Sequence, residues 1–346
     1  MKKVIVLILL TLSLMAGVYE NGLKAYNNQE YKKAFKLWKK LASKGQVTAQ
    51  YSIGYMYLNA LGIRKDNKKA IFWYEKAANQ GHSDAQNNLA MIYENKKNYK
   101  KAVFWYTEAA KQGNVFAQSN LGNMFYNAIG IKQNYTKALY WYEKAANQGN
   151  AYAQNSLGTM YKDSYGVKQD YNKAIFWYEK SANQKHMEAQ YNLGQMFYEG
   201  FGRQKDYHKA VYWYEKAADQ GQIDAQYNLG IMNQYGHGIY KNYNKAAYWY
   251  EKAANQGSVD AQYNIAYLFA NGYGVMKNYR TAIYWYKKTV ANGYVQAKCP
   301  QAEIMILSDN SYSTIKEAKK MVSDAYQQTN DSYCSSVWEK YKLYNY

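Results

Sequence analysis

The sequence predicts an all-α protein, a solenoid of stacked helix pairs, from three observations. The dipeptide Ala-Gln, with a final copy as Ala297-Lys, recurs along the chain, with six of seven intervals equal to 36 residues and one equal to 32. A Trp-Tyr pair recurs at the same intervals. Each interval also holds two stretches in which apolar residues return every three or four positions. Such periods are typical of units that cannot bury an apolar face alone and therefore stack on their neighbours.

Each unit contains two predicted amphipathic helices. In the unit around Ala189, the first helix places Ala189, Leu193 and Phe197 on one stripe. The second helix places Ala210 and Tyr214 on a similar stripe, with Trp213 beside them. Because small Ala positions flank this Trp-Tyr pair, both aromatic residues are predicted to lie in the core between repeats.

The residues between the helices predict the turns. A Gly-x-Gly loop such as 200–202 supplies positive φ after the first helix, and Asp206 caps the start of the second. Gly221 ends the second helix, and equivalent glycines end most others. Lys185 replaces that glycine once, so its turn is expected to be strained or differently shaped. The 32-residue unit lacks only the Gly-x-Gly loop.

These units resemble the Sel-one-like repeat (SLR) family, a subclass of the tetratricopeptide repeats. The family pattern A-x-x-L-G-x-M-Y-x-x-G-x-G-V-x-x-D-Y-x-K-A-x-x-W-Y-x-K-A-A-x-x-G is matched closely over residues 46–293, in about seven units. The resemblance implies a right-handed α/α superhelix that works as an interaction scaffold, often in secreted or envelope proteins of bacteria. The family shares no catalytic residues, so the expectation is a protein that is not an enzyme and needs no cofactor.

The two ends depart from the repeat pattern. Residues 1–16, two lysines followed by an apolar run, predict a secretory signal peptide, and export to the periplasm or beyond follows from it. Retention of this segment as an uncleaved anchor stays open, and no other segment is long and apolar enough to span a bilayer. Residues 17–45 predict a capping helix pair, and residues 294–346 predict a C-terminal cap.

Both cysteines lie in that C-terminal segment. In an exported chain, Cys299 and Cys334 predict one disulfide that ties the tail to the last repeat, and two free thiols are the alternative. Their spacing, without partnering histidines, argues against a zinc site, and no other metal site is expected.

The formal net charge of +19 favours acidic partners such as lipid head groups, acidic glycans or nucleic acid. Lysines recur at fixed repeat positions, however, so a solvated outer face is the simpler explanation and the one that the sequence favours. Only three residues are arginine, which disfavours specific recognition of nucleic acid.

A candidate binding surface follows from the resemblance, because the first helices of tetratricopeptide-like superhelices line the concave face. Two positions per first helix, two before and two after the repeat Leu, are expected to point inward. Tyrosine recurs at the first of them in three successive units, which predicts an aromatic ladder beside Asn192, Asn228 and Asn264 that suits an extended peptide. The predicted binding residues are Tyr51, Tyr55, Asn123, Tyr191, Gln195, Tyr227, Tyr263 and Tyr267.

Three functions remain open from the sequence. The first is a scaffold that holds a protein or peptide in its concave groove, with a possible role in host interaction. The second is an envelope factor that binds peptidoglycan or acidic glycan, or has β-lactam-related activity as in cysteine-rich SLR proteins. The Ser313-x-x-Lys316 and Ser308-Asp-Asn motifs give this last activity little support, because their order is reversed relative to the penicillin-recognising enzymes. The third is a structural bridge between envelope components.

Overall fold

The computed structural model describes residues 2–346, with side chains from residue 15 onward, and the regular elements in this range are all helical. The chain divides into two compact units, residues 1–170 and residues 171–346. Within each unit, consecutive helices pack in sequence order, which is the arrangement expected for a helical solenoid.

The repeats alternate a first and a second helix of 12 or 13 residues. The first helices are α3 (Val47–Asn59), α5 (Ser83–Asn95), α7 (Val115–Tyr126), α9 (Ala151–Asp163), α11 (Met187–Glu199), α13 (Ile223–Tyr235) and α15 (Val259–Asn271). The second helices are α4 (Asn67–Ala78), α6 (Tyr99–Lys111), α8 (Tyr135–Asn147), α10 (Tyr171–Asn183), α12 (Tyr207–Asp219), α14 (Tyr243–Asn255) and α16 (Tyr279–Ala291).

The N-terminal end is a helix pair, α1 (Lys2–Asn27) and α2 (Tyr31–Ala42). Trp38 of α2 is buried and packs on Tyr19 and Tyr26 of α1, and Gly22 lies against its indole ring. The predicted signal peptide, 1–16, falls almost entirely outside the described side chains. Among the described residues, no helix combines the length and apolar character needed to cross a membrane.

A buried tyrosine fills the centre of each repeat. Tyr214 is 1% exposed, and its ring lies so close to Gly194 of the facing first helix that a Cβ there would be 2.6 Å from it. The same close approach pairs Tyr250 with Gly230. Glycine at these two positions is explained by side-chain packing, because in the middle of a helix its conformational freedom is a disadvantage. Two other repeats place alanine at the same position, Ala90 and Ala266, so a small side chain is also accommodated there.

The neighbouring tryptophan behaves differently from the prediction. Trp213 and most of its equivalents are only half-buried, while the adjacent tyrosines are fully buried. Trp285 is an exception, at 5% exposed. The prediction that both residues of the Trp-Tyr pair form the core is thus wrong for most tryptophans, because consecutive helical residues point about 100° apart and only one can face the neighbouring helix.

A row of buried glutamines joins successive repeats, and they are the glutamines of the Ala-Gln dipeptide. In the second unit, Gln226 of α13 donates through Nε2 to the carbonyl oxygen of Ala218 at the end of α12, over 3.1 Å. Its Oε1 accepts from Nε2 of Gln256, which follows α14, over 2.8 Å. One side chain thus connects the second helices of two neighbouring repeats. The same relay recurs at Gln50, Gln86, Gln118, Gln190 and Gln262.

The turns follow the predicted chemistry. Gly200 ends α11 with φ of +77°, and the Asp206 side chain caps α12 by accepting from the Lys209 backbone N–H. At the one position that lacks glycine after a second helix, Lys185 adopts φ of +65°. The turn keeps its hydrogen bond from the Lys185 N–H to Ala182, so it is strained without changing shape.

The C-terminal cap consists of α17 (Lys298–Ser308), α18 (Tyr312–Thr329) and α19 (Ser332–Lys340), with short 3₁₀ helices at 295–297 and 343–345. A disulfide joins Cys299 at the start of α17 to Cys334 in α19. Both sulfurs are buried in a small core with residues such as Ile306 and Val322. The cap therefore has a hydrophobic cluster of its own.

Candidate functional site

The predicted binding residues all lie on the outward side of the first helices, which we call the first-helix face of each unit. In the first unit, Tyr55 is 37% exposed, and Tyr51 and Asn123 are half-buried. In the second unit the face carries one exposed residue, Tyr267, and four half-buried residues, which are Tyr191, Gln195, Tyr227 and Tyr263. All of these side chains present part of their surface to solvent.

The tyrosines of this face rest on the buried tyrosines of their own repeats. The Tyr191 ring lies 5.9 Å from that of Tyr214, and Tyr227 lies 5.9 Å from Tyr250. Tyr263 contacts both Tyr286, at 5.5 Å, and the half-exposed Tyr294, at 5.6 Å. The described contacts of these three rings are therefore made within their own repeats, and each ring packs on the buried tyrosine of its repeat.

The asparagines beside the ladder lie next to tyrosines of the preceding repeat. In the first unit the equivalent Asn88 donates through Nδ2 to the Tyr74 hydroxyl over 3.4 Å. Asn228 lies near enough to Tyr191 and Tyr214 to oppose the burial that raises the pKa of both phenols. The amides predicted to pair with a bound peptide therefore lie beside tyrosine hydroxyls at the junctions between repeats.

The first helices of the second unit carry an excess of negative charge. The first helices α11, α13 and α15 hold four acidic residues and no Lys or Arg. Burial, reinforced by Asp224 and Glu188, raises the pKa of Tyr191, so its phenol stays neutral and can donate a hydrogen bond. The high positive charge of the whole chain therefore does not describe this surface.

In the repeats of the second unit, the second helices carry an excess of basic residues. The helices α10, α12, α14 and α16 hold nine Lys or Arg against four Asp or Glu. Tyr212 is 51% exposed, touches Trp213 edge-on, and has the Lys216 ammonium 4.7 Å from its ring centre. The same group recurs at Phe176, Tyr248 and Tyr284. We call this row of aromatic and lysine side chains the second-helix face.

The two motifs that resemble those of penicillin-recognising enzymes lie around the N-terminus of α18. Ser311 is the N-cap of α18 and accepts from the Thr314 backbone N–H. The Asp309 carboxylate accepts from the Ser311 and Thr314 hydroxyls, and Ser313 contacts the Ser311 hydroxyl. These bonds account for the Ser and Asp residues of both motifs by capping chemistry.

Two histidines act as helix caps. The Nδ1 atom of His82 accepts from the Ala85 N–H, and Nδ1 of His186 accepts from the Ala189 N–H. Burial lowers the pKa of both imidazoles, which keeps Nδ1 free to accept. Within the described part of the chain, no group of three or more His, Cys, Asp or Glu side chains could hold a metal ion.

Sequence reasoning missed two features of the loops and junctions. The glutamines of the relay are visible in the sequence as the Ala-Gln repeat. The side chains that donate to them, however, lie 26 to 30 residues further along the chain. The residue between the two loop glycines packs on the first residue of the preceding second helix, as Tyr273 stacks on Tyr243 at 5.0 Å. The sequence signals this stacking, because aromatic residues recur at both positions.

The stacked helix pairs define a helical repeat protein. The chain belongs to the Sel1 repeat family, whose model matches most of its length in eight segments. The first of these covers the pair α1 and α2. The matched segments are residues 12–46, 47–82, 83–114, 115–150, 151–186, 188–222, 223–258 and 259–294. Members of this family are in general scaffolds without catalytic function, and they typically bind proteins.

Solved structures of the same family share this fold. A protective antigen of uropathogenic Escherichia coli with an SLR fold is 27% identical, with a TM-score of 0.68, covering 94% of this chain and 79% of that one. A Sel1 repeat protein from Oxalobacter formigenes is 29% identical, with a TM-score of 0.65, covering 82% of this chain and 85% of that one.

A sel1-like repeat-containing protein of Acanthamoeba polyphaga mimivirus is similar to part of the chain. The two are 41% identical over 61 residues, which is 18% of this chain and 11% of that protein. This relative supports the repeat assignment, and its short overlap carries nothing further about function.

Proposed function

We propose that the protein is an exported scaffold whose first-helix face binds an extended segment of a partner protein. The observation that carries this proposal is the row Tyr191, Tyr227 and Tyr263, placed at one position in three successive repeats and held by the core. Rings fixed in this way offer contact area at low entropic cost. The predicted signal peptide supports the extracytoplasmic location.

The charges of the first-helix face restrict the class of peptide that it is expected to bind. The side chains around the tyrosine row include Glu188, Asp224 and Asp260, with no basic residue on the three first helices. A neutral or basic segment would gain from these charges, and an acidic one would be repelled. The expected ligand is therefore a peptide rich in Lys or Arg, in spite of the net charge of +19.

Selection from a random peptide library tests the proposal, because it does not require the partner to be identified first. We expect the mature protein, residues 17–346, to enrich peptides with Lys or Arg and to lose this selectivity when Tyr191, Tyr227 and Tyr263 are all changed to Ala. The matched control changes three tyrosines of the second-helix face to Ala, and these are Tyr212, Tyr248 and Tyr284. Equal loss in both triple variants, or no enrichment at all, would refute the assignment.

Replacement of the same three first-helix tyrosines by Phe separates binding from folding. The Phe variant keeps the ring packing on Tyr214, Tyr250 and Tyr286 and removes only the hydroxyls. We expect it to retain part of the selected binding. Circular dichroism melts of all variants identify any loss that comes from unfolding.

The second-helix face favours a second candidate, the binding of acidic envelope glycan. Its half-exposed rings combine with lysines such as Lys216, Lys252 and Lys288, which suits stacking on sugars together with charge attraction. Sedimentation with purified sacculi should weaken steeply with salt, because exposed charges are screened within roughly 8–10 Å. Binding that survives change of these three lysines to Gln would exclude this surface.

A further inference from the structure

The repeat from residue 223 to 258 lacks an aromatic ring that the first helices α3, α5, α7, α9, α11 and α15 of the other repeats carry. Its first helix carries Asn233 at the position held elsewhere by Phe or Tyr, for example by Phe197 and Phe269. Asn233 is only 2% exposed. A polar side chain has therefore replaced a large ring at a buried junction between repeats.

Only one of the two polar atoms of the Asn233 side chain has a hydrogen-bond partner. Its Nδ2 donates to the Leu229 carbonyl oxygen over 2.8 Å, which identifies the other atom as the amide oxygen. That oxygen, Oδ1, is buried without a hydrogen-bond partner in the structure. A buried acceptor without a donor is costly, so Asn233 is an unfavourable replacement for the aromatic ring at this position.

A pocket opens beside Asn233. It has a volume of about 1030 Å³ and is formed by side chains of two neighbouring repeats. Glu215 comes from the preceding repeat, and Lys245, Tyr248 and Trp249 come from the repeat that contains Asn233. The pocket thus offers a carboxylate, an ammonium group and aromatic walls beside the position of the missing ring.

The other repeats show which group these side chains are arranged to hold. Where the ring position is Tyr93, its hydroxyl donates over 2.7 Å to Glu75, the glutamate equivalent to Glu215. The ammonium of Lys101, equivalent to Lys245, lies 4.8 Å from the same ring centre and 3.4 Å from its hydroxyl oxygen. Lysines at this position also lie over the rings of Tyr57, Phe125 and Phe197.

We propose that this pocket binds the phenol ring of a tyrosine side chain presented by a partner peptide. The ring takes the place left by the missing aromatic residue, its hydroxyl donates to Glu215, and Lys245 lies over its face. This site is separate from the first-helix face and does not depend on the function proposed for that face.

The test uses N-acetyl-tyrosine amide as the probe and N-acetyl-phenylalanine amide as its matched control. The indole N–H signal of Trp249, assigned by a Trp249→Phe variant, reports binding in NMR titrations of the mature protein. We expect saturable shifts with the tyrosine probe and about tenfold weaker binding of the phenylalanine probe, because the latter cannot donate to the Glu215 carboxylate.

Two variants make the proposal falsifiable. Asn233→Phe restores the repeat pattern and should abolish the response to both probes. Glu215→Gln changes an exposed residue and should remove the preference for tyrosine while the phenylalanine probe still binds. The proposal is overturned if the Trp249 signal stays unchanged up to the solubility limit of the probe. Equal binding of the two probes, or binding that persists in Asn233→Phe, would overturn it as well.

Discussion

The glutamine relay gives the sharpest prediction about stability. Gln226 is 3% exposed and makes one hydrogen bond to the preceding repeat and one to its own. Gln226→Leu removes both bonds with little change in volume. The two neutral bonds together contribute about 1–3 kcal/mol to the free energy of unfolding.

The lower part of that range is expected, for a reason visible in the structure. The Ala218 oxygen keeps a second donor, the Gly221 N–H at 2.9 Å, and the exposed Gln256 can be hydrated. We therefore expect Gln226→Leu to lower the unfolding free energy by about 1–2 kcal/mol. Urea titration followed by circular dichroism measures this change, and hydrogen exchange of α12 and α13 locates it.

Gln226→Glu distinguishes the relay from general packing. A protonated Glu can still donate to Ala218, whereas a carboxylate would face that carbonyl oxygen in a buried site. Burial is expected to raise the folded-state pKa of the new carboxyl above its unfolded value of about 4.3. The folded state then binds more protons, so stability is retained below about pH 4.3 and lost by about 1.4 kcal/mol per pH unit above it.

The reasoning would be refuted by two results together. One is an unfolding free energy of Gln226→Leu equal to that of the natural protein within about 0.3 kcal/mol. The other is a constant stability difference between the Glu and Leu variants from pH 4 to pH 7. Gln256→Ala is the control, because it removes the exposed partner and leaves the bond to Ala218 in place.

Three further predictions concern the repeat core, the cap and the pH response. Gly194→Val should lower the unfolding free energy in urea titrations by about 1–3 kcal/mol, because its side chain meets the Tyr214 ring; unchanged stability would contradict the close packing. Cys334→Ser should destabilise the C-terminal cap by about 2–4 kcal/mol, since the disulfide to Cys299 closes a loop of 35 residues; thermal unfolding that reductant leaves unchanged would contradict this. The lowered pKa of His82 means that its stability contribution is fully present above about pH 6.5 and declines as the pH falls below that value. His82→Asn, a cap that does not titrate, should reduce the pH dependence of thermal stability between pH 7 and pH 5.

The sequence by itself determined the repeats, the helix pairs and the turns. These features depend on short-range rules, namely the period of apolar residues, the caps such as Asp206 and the positive φ of loop glycines such as Gly200. It also placed the candidate residues, including Tyr191 and Tyr227, together on one face of the first helices, because side-chain direction follows from position in a helix.

Only the tertiary structure decided how those side chains are used. It made Tyr214 the core residue and left Trp213 half-buried, it placed Asn228 beside Tyr191 of the preceding repeat, and it left Asn233 beside an open pocket. Each of these outcomes depends on contacts between neighbouring repeats. A single repeat read as a sequence contains every residue involved but not the neighbour against which it packs.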